Sequence, residues 1–214
     1  MKQYIILSFF VIFTTSSIQA QEINGKWMKI PIPNSISYPK INILEIENDS
    51  ISAYNFNKLY EKNKIVIRNN TFHLNDTITV GFSFINENMF ELKSPNHKQD
   101  MGVSYRYVRL LPTIDENKLV NSLENTSYSI SFAYEKLRFK LGERKDKDDV
   151  NIINDPPIAS DYSNIETFGD TYFLCFHLLD RISYAFPIRE IYSDSLILYG
   201  IPKVEGELIA RRVN

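Results

Sequence analysis

The sequence predicts an all-β protein: an antiparallel meander of short strands closes as a barrel, and a second β-rich unit follows, with one short helix near the middle. Apolar residues recur at every second position in many segments, which is the period of a strand with one buried face. Short segments rich in Asn, Asp and Ser divide these runs, and such residues suit tight turns because they tolerate positive φ. Strands at this close spacing are typical of a barrel or a sandwich.

The first segment, residues 1–20, is predicted to be an export signal. Lys2 precedes an almost wholly apolar run at residues 4–13, and a small residue, Ala20, stands at the expected cleavage site. The apolar run is shorter than the roughly 20 residues of a membrane-spanning helix, although an uncleaved anchor is the alternative. The mature chain would begin near Gln21 and be periplasmic, outer-membrane-associated or secreted.

The strands of the predicted meander are clearest where small or polar residues alternate with apolar ones. In residues 77–85 the apolar face would consist of Ile78, Val80, Phe82 and Phe84. Residues 136–141 alternate in the same way, and the run before them would place on one face Tyr128, Ile130, Phe132 and Tyr134. Turns in the first half are predicted at residues 47–50, 68–71 and 86–88.

The one helix is predicted at residues 113–123, near the middle of the chain. This segment opens with a capping candidate and acidic residues, and its apolar positions Leu119, Val120 and Leu123 are helically spaced. It would separate the first barrel, residues 21–112, from the second β-rich unit, residues 113–214. One continuous β domain across both halves is the alternative.

A long exposed loop is predicted at residues 142–164. It begins with G-E-R-K-D-K-D-D, which holds no apolar side chain. Such loops often carry function in β proteins. Its acidic residues lack the glycine and the distal glutamate of a calcium-binding EF-hand loop, so a solvated loop is favoured over a calcium site; they are Asp146, Asp148, Asp149 and Asp155.

The second unit could be a degenerate repeat of the first. Residues 43–54 and 188–199 both read as a strand, an Asp-Ser turn, a strand and a tyrosine. Residues 105–110 and 207–213 form a second echo, because each places arginine inside an apolar strand at the end of a series of hairpins. A hairpin can also produce such a match by convergence, so both interpretations stay open.

A short motif, Gly25-Lys26-Trp27, stands directly after the export signal and opens the meander. A G-x-W motif in this setting resembles the lipocalin-like (calycin) β-barrels, in particular small, uncharacterised bacterial exported lipocalin-like proteins. The resemblance covers about residues 22–112. It implies that Trp27 packs across the closed end of a barrel, and that an arginine from a late strand lies over its ring.

The candidate arginine is Arg109, with Arg211 and Arg212 as alternatives. A guanidinium over an indole ring is a favourable contact. The resemblance implies that Trp27 and Arg109 close the barrel and do not bind a ligand. The chain departs from secreted animal lipocalins because it lacks their further short motifs and any disulfide: Cys175 is its only cysteine. Lying in an apolar run, Cys175 is predicted to be a buried, inert thiol.

No catalytic motif, metal site or cofactor site is predicted. The three histidines, His73, His97 and His177, stand far apart in the sequence, whereas zinc needs three or four converging ligands. The chain carries 24 basic and 26 acidic residues, a formal net charge of −2, which gives no bulk electrostatic attraction to nucleic acid. Nothing after the export signal resembles a transmembrane helix.

These observations leave three functions open. The first is an exported lipocalin-like binding module that holds a small apolar or amphipathic molecule in the cell envelope, through ligand-binding residues that the sequence does not identify. The alternative is an interaction or structural protein whose filled barrel contacts an envelope protein or a glycan through an exposed surface or the 142–164 loop. An enzyme is the least favoured, because no motif points to one nucleophile or acid–base pair.

Overall fold

The computed structural model describes residues 23–30, 41–93, 104–132, 134–146, 150–154, 157–200 and 207–213. The predicted export signal, His97, and three members of the acidic group, Asp148, Asp149 and Asp155, lie outside these ranges. Contacts divide the described chain into two compact units. The first holds residues 23–29 and 42–109, and the second holds residues 110–213 together with Ile30 and Ile41.

The first unit is a nine-stranded antiparallel sheet that curls into a nearly closed barrel. Its strands are β1 (Gly25–Lys29), β2 (Asn42–Glu47), β3 (Ser50–Asn55), β4 (Lys58–Lys64), β5 (Val66–Arg68), β6 (Thr71–His73), β7 (Thr79–Asn86), β8 (Met89–Lys93) and β9 (Ser104–Arg109). They lie in the order β4-β3-β2-β1-β9-β8-β7-β6-β5. Strand β1 joins the two arms by pairing with β2 on one side and β9 on the other, and β4 and β5 are the two edges.

The alternation predicted for residues 77–85 is found in β7. Phe82 is buried in the core of the first unit, and Val80 and Phe84 pack against that core. Ile78 differs, because it lies before the strand begins and is 43% exposed. Its backbone N–H donates to the Asn75 side chain, so a polar turn holds this residue outside the ladder.

The second unit also begins and ends with strands that pair with each other. Its strands are β10 (Ser127–Ser131), β11 (Lys136–Lys140), β12 (Asn151–Asn154), β13 (Pro157–Ser160), β14 (Tyr162–Phe168), β15 (Thr171–Leu178), β16 (Arg181–Ile191), β17 (Ser195–Leu198) and β18 (Leu208–Arg212). Seven form a curled antiparallel sheet in the order β11-β10-β18-β17-β16-β15-β14, and β12 pairs with β13. Tyr128, Ile130, Leu137 and Phe139 are buried in its core, as predicted.

The helix predicted at 113–123 is much shorter than expected. Only a 3₁₀ helix forms, at Leu119–Ser122. The residue before it, Lys118, has φ 51°, a left-handed conformation that an α-helix cannot pass through. The carboxylate of Asp115 accepts the backbone N–H groups of Leu119 and Val120 at 2.7 and 3.0 Å, so it stabilises this single turn. The acidic residues therefore stabilise one turn and not a whole helix.

The exposed loop predicted at 142–164 is wrong over its second half. Strands β12 and β13 and the start of β14 occupy residues 151–154, 157–160 and 162–164. Ile153 and Ile158 face each other in the β12–β13 pair and are buried in the core of the second unit. Burial of the apolar residues that follow the charged run therefore favours strands over an exposed loop at these positions.

Tyr134 does not share the buried face predicted for it. Its side chain is 95% exposed, and it lies in the turn that is closed by the hydrogen bond from the Phe132 N–H to the Glu135 carbonyl oxygen.

The two stretches that match in sequence, 43–54 and 188–199, are both antiparallel hairpins, but they occupy different places in their sheets. The β2–β3 hairpin follows the first strand of its unit, whereas β16–β17 precedes the last. The second match, between residues 105–110 and 207–213, falls in strands that hold equivalent places in the two units. Strands β9 and β18 each end their unit and pair with its first strand, so that Arg109 lies opposite Trp27 and Arg212 lies opposite Tyr128.

Candidate ligand site in the first barrel

Trp27 lies in the hydrophobic core of the first barrel. Its ring is fully buried, and its Nε1 donates to the carbonyl oxygen of Ile23 at 2.8 Å. The guanidinium carbon of Arg109 lies 4.2 Å from the centre of the indole ring, and Nη1 of Arg109 donates to the carbonyl oxygen of Asn24 at 2.9 Å. The arginine thus contacts the ring and the backbone that enters β1.

The glycine of the G-x-W motif makes room for this contact. Gly25 has φ +129°, a conformation that L side chains rarely adopt. A Cβ atom at this position would stand 3.1 Å from Nη1 of Arg109. A side chain at residue 25 would therefore strain the backbone and crowd the guanidinium, which gives the Gly25–Trp27 spacing a physical reason.

Of the three candidate arginines, only Arg109 lies over Trp27. Arg211 and Arg212 are in β18 of the second unit, where they pair with Ser129 and Tyr128. Arg212 nevertheless repeats part of the arrangement. The backbone N–H of Arg212 donates to the carbonyl oxygen of Asp194, and its Nη1 donates to the carbonyl oxygen of Ser193. In the same way, the backbone N–H of Arg109 donates to the carbonyl oxygen of Asn88, and its Nε donates to the carbonyl oxygen of Glu87.

The middle of the barrel is filled by aromatic rings. Phe90 meets Trp27 edge-on with ring centres 4.7 Å apart, and it stacks on Tyr107 at 5.1 Å. Phe72 and Phe82 stack at 4.6 Å next to them. Together with Trp27 these rings form an aromatic layer in the core of the first unit.

Two residues after Trp27 along β1, a charged side chain, Lys29, replaces the aromatic one on the inward face. Side chains two residues apart share a strand face, so Lys29 faces inward like Trp27, about 7 Å further along. Its register partner on β9 is Tyr107, a member of the core. Its Nζ lies 3.7 Å from the centre of the Tyr105 ring. The inward face of β1 therefore carries Trp27 under the guanidinium of Arg109 and, two residues later, Lys29 over the ring of Tyr105.

Lys29 is an inward-facing cation without a carboxylate partner among the residues that the structure describes. Burial lowers the pKa of its ammonium group, and no neighbouring charge opposes that shift. The hydroxyl groups of Tyr105 and Tyr107 make no hydrogen bond to any described residue. Burial also raises the pKa of Tyr107, with smaller contributions from Tyr60 and Tyr105. Several donors in this part of the interior are thus unused.

Three apolar side chains on the inward face of the first sheet are only partly covered. They are Val80, Leu92 and Tyr105, which pack against the core of the first unit. Register places Leu92 opposite both Phe82 and Tyr105, and Val80 opposite Phe72, so all three belong to the inward face. We call Lys29, Tyr105, Tyr107, Leu92 and Val80 the Lys29 site. It combines one cation, two phenol groups and apolar surface.

A separate open cleft of about 610 Å³ lies where the chain passes from β4 to β5. Its walls carry charges of both signs, from Lys64, Arg68, Asp49 and Asp76, beside Ile65 and His73. A second groove of about 440 Å³, beside the β2–β3 turn, includes Lys26, Glu45 and Glu47. Neither has the apolar lining of the barrel interior.

His73 and His177 are the two histidines among the described residues, and they belong to different units. Within the described ranges no group of three His, Cys, Asp or Glu side chains could hold a metal ion. His73 lies in β6, and His177 lies in β15, where its Nε2 is 3.1 Å from Glu166 and 2.8 Å from the Asn164 side-chain oxygen. Burial lowers the pKa of His177, and Glu166 opposes this shift. His177 is thus held as part of a polar cluster in the wall of the second sheet.

Cys175 is fully buried, and burial raises the pKa of its thiol well above the usual value. This agrees with the predicted inert thiol. Sequence reasoning missed Lys29 and Tyr105. A signal for Lys29 was present, because it follows Trp27 by two positions and must share its face. No local signal marked Tyr105, which reaches Lys29 only through the pairing of β1 with β9.

No helix among the described residues is long and apolar enough to cross a membrane. Comparison with known proteins gave no relative: no protein family model, no curated protein and no solved structure matches this chain.

Proposed function

We propose that this protein is an exported, lipocalin-like binding module, whose first barrel holds a small apolar or amphipathic molecule. The observation that carries this proposal is the uneven burial of the inward face of the first barrel. The rings of Trp27, Phe72, Phe82 and Phe90 are buried, whereas Val80, Leu92 and Tyr105 on the same inward face keep part of their apolar surface uncovered. Small-molecule sites are commonly apolar concavities with a few placed polar groups, and the Lys29 site has that composition.

The lipocalin-like relationship is part of this proposal. It is supported by the nearly closed antiparallel barrel, by the stacking of Arg109 on Trp27 and by the requirement for glycine at residue 25. Export rests on the character of residues 1–20. The binding site would then work in the cell envelope or outside the cell, where the mature chain would meet its ligand.

Native mass spectrometry of the full-length gene product, purified from its own envelope, tests this function. We expect a reproducible mass above that of the apo chain, and release of one class of small molecule on denaturation. A matched sample that has been unfolded, washed and refolded should lose the extra mass and regain it from an envelope extract. A clean apo mass in both samples, together with no uptake of a neutral apolar dye, would contradict the proposal.

A second candidate is an interaction protein that acts through the edges of the first sheet. The edge strands β4 and β5 carry Leu59, Tyr60 and Val66, each about half exposed. Unpaired strand edges can add a strand from a partner protein. The dye experiment separates the two candidates, because an edge-binding protein with a filled barrel would take up no dye.

A further inference from the structure

We propose that the molecule held in the first barrel is an amphiphile with an anionic head group, and that Lys29 binds this head group. The inference rests on the proposed binding function and names the class of ligand. It starts from Lys29, which faces the barrel interior from β1 and lies 3.7 Å from the ring centre of Tyr105.

An inward-facing cation without a counter-ion needs an explanation. Taking a charged group out of water is costly unless another charge or hydrogen bonds replace the lost hydration. Lys29 has the ring of Tyr105 beneath it but no carboxylate partner among the described residues. The ring offsets only part of the cost of desolvation, since burial still lowers the pKa of Lys29. An anion from outside the protein would supply the missing charge.

The groups around Lys29 fit an anionic oxygen. Tyr107 lies directly opposite Lys29 in the β1–β9 register, and Tyr105 lies two residues before it on the same strand face. Both phenol hydroxyls make no hydrogen bond to a described residue, so each can donate to a carboxylate or sulfate oxygen. A head group at this position would gain an ion pair with Lys29 and up to two hydrogen bonds. It would meet these donors where water is partly excluded, which strengthens charge interactions.

The apolar part of the ligand follows from the neighbouring side chains. Trp27 precedes Lys29 on the inward face of β1, and Phe90 lies level with Lys29, because both face Tyr107 in the register. Both rings are buried and leave no uncovered surface there. Val80 and Leu92, on the inward face of β7 and β8, stay partly uncovered. An aliphatic chain attached to the head group would cover these side chains. This combination favours a single-chain amphiphile over a polar anion such as phosphate.

Competition for a neutral dye measures the contribution of charge. The full chain is titrated with N-phenyl-1-naphthylamine, and the bound dye is displaced by dodecanoate or by 1-dodecanol, which share a chain length and differ in the head group. We expect dodecanoate to displace the dye from the wild type at a concentration at least about tenfold lower than dodecanol does. In Lys29→Met this preference should fall to about one, whereas Lys29→Arg should keep most of it.

Lys26→Met is the matched control. Lys26 is in the same strand, but it lies on the opposite face, in register with Glu45. Its substitution removes the same net charge from the protein without changing the interior, so the preference for dodecanoate should stay at the wild-type level. If Lys29→Met fails to fold, as judged by circular dichroism, Lys29→Gln takes its place.

The outcomes separate the two proposals. If the wild type binds neither the dye nor either amphiphile, the binding function fails and the inference with it. If the dye binds but dodecanoate and dodecanol compete equally, or if the preference persists in Lys29→Met, the binding function stands and the role of Lys29 is overturned. If Lys26→Met loses the preference as fully as Lys29→Met, the effect comes from net charge and the inference is likewise overturned.

Discussion

At the scale of single residues, the first barrel contains two cation–aromatic contacts of different kinds. Arg109 lies over buried Trp27 and also donates to the backbone at Asn24, so both the ring and the carbonyl stabilise it. Lys29 lies over the partly exposed ring of Tyr105, and burial disfavours its charge. The first contact would contribute to stability, and the second leaves a charge available for a ligand.

Replacing Arg109 by Met tests the first contact. We expect Arg109→Met to lower the free energy of unfolding by about 1–3 kcal/mol, because it removes a stacked cation and a charged hydrogen-bond donor. Urea unfolding followed by Trp27 fluorescence measures this. Arg106→Met is the control: it comes from the same strand, is exposed and forms only a surface ion pair with Glu91, so its cost should stay below about 1 kcal/mol. Equal costs for the two variants would contradict the special role of Arg109.

The stability of Lys29→Met should depend on pH in a defined direction. Because the pKa of Lys29 is lowered from 10.5 in the folded state, the unfolded chain binds more protons between the lowered value and 10.5. The contribution of Lys29 to stability therefore rises with pH through that window, and its charge disfavours folding below it.

We accordingly expect Lys29→Met, without ligand, to be at least as stable as the wild type at pH 7, and its advantage to shrink as the pH rises to 10.5. Thermal unfolding of both proteins at a series of pH values measures the difference. A clear loss of stability at pH 7, or an advantage that grows with pH, would show that the ring of Tyr105 outweighs burial.

At the scale of elements, strand β1 organises the first barrel. It joins the two arms of the sheet, and it carries the glycine, the tryptophan and the lysine within five residues. Its pairing with β9 brings Arg109 opposite Trp27, and Tyr107 opposite Lys29. One pair of strands, far apart in sequence, thus determines both the contact of Arg109 with Trp27 and the Lys29 site.

Alanine substitutions at two glycines test how β1 and β9 fit together. Gly25→Ala should lower stability by about 1–3 kcal/mol, because it places a Cβ at a positive φ and near Arg109. Gly81→Ala, in β7, should change stability by less than about 1 kcal/mol, since its Cβ would meet nothing within 4 Å and its φ is unstrained. Chemical denaturation of both variants gives the comparison. If Gly25→Ala left the free energy of unfolding unchanged, β1 would be able to shift without loss of stability.

At the scale of the whole molecule, the two units share a closing arrangement. In each, the last strand pairs with the first, and an arginine on it donates to two carbonyls of a neighbouring turn. The aromatic partner differs. Trp27 lies under its arginine, whereas Tyr128 is opposite Arg212 without a stacking contact and with a buried hydroxyl that has no partner among the described residues. Both sheets thus pair their last strand with their first, although the hairpins that match in sequence, β2–β3 and β16–β17, occupy different places in the two sheets.

Arg212→Met should therefore destabilise less than Arg109→Met and act on another part of the chain. Trp27 is the only tryptophan, so its fluorescence follows the first unit, whereas circular dichroism follows both. Each unit has its own hydrophobic core. We expect Arg212→Met to shift the unfolding curve from circular dichroism and to leave the Trp27 midpoint in place. A Trp27 midpoint that moves as far as in Arg109→Met would contradict the separate roles of the two arginines.

The sequence by itself determined the fold class and the alternation in residues 77–85 and 136–141. These follow from apolar periodicity and turn residues, which act over a few positions. The contact of Trp27 with a late arginine was expected only from the resemblance to lipocalin-like barrels. Sequence reasoning misjudged residues 151–164, where burial of Ile153 and Ile158 outweighed a charged neighbourhood, and the helix, which Lys118 interrupts.

Only the tertiary structure decided which arginine contacts Trp27 and which side chains surround Lys29. Arg109 and its two rivals all lie in apolar strands, and they differ only in which strand pairs with β1. Tyr105 and Tyr107 reach Lys29 because β9 returns beside β1 after some eighty residues of intervening chain. Strand pairing at that separation is selected by the packing of the whole barrel, and local sequence does not encode it.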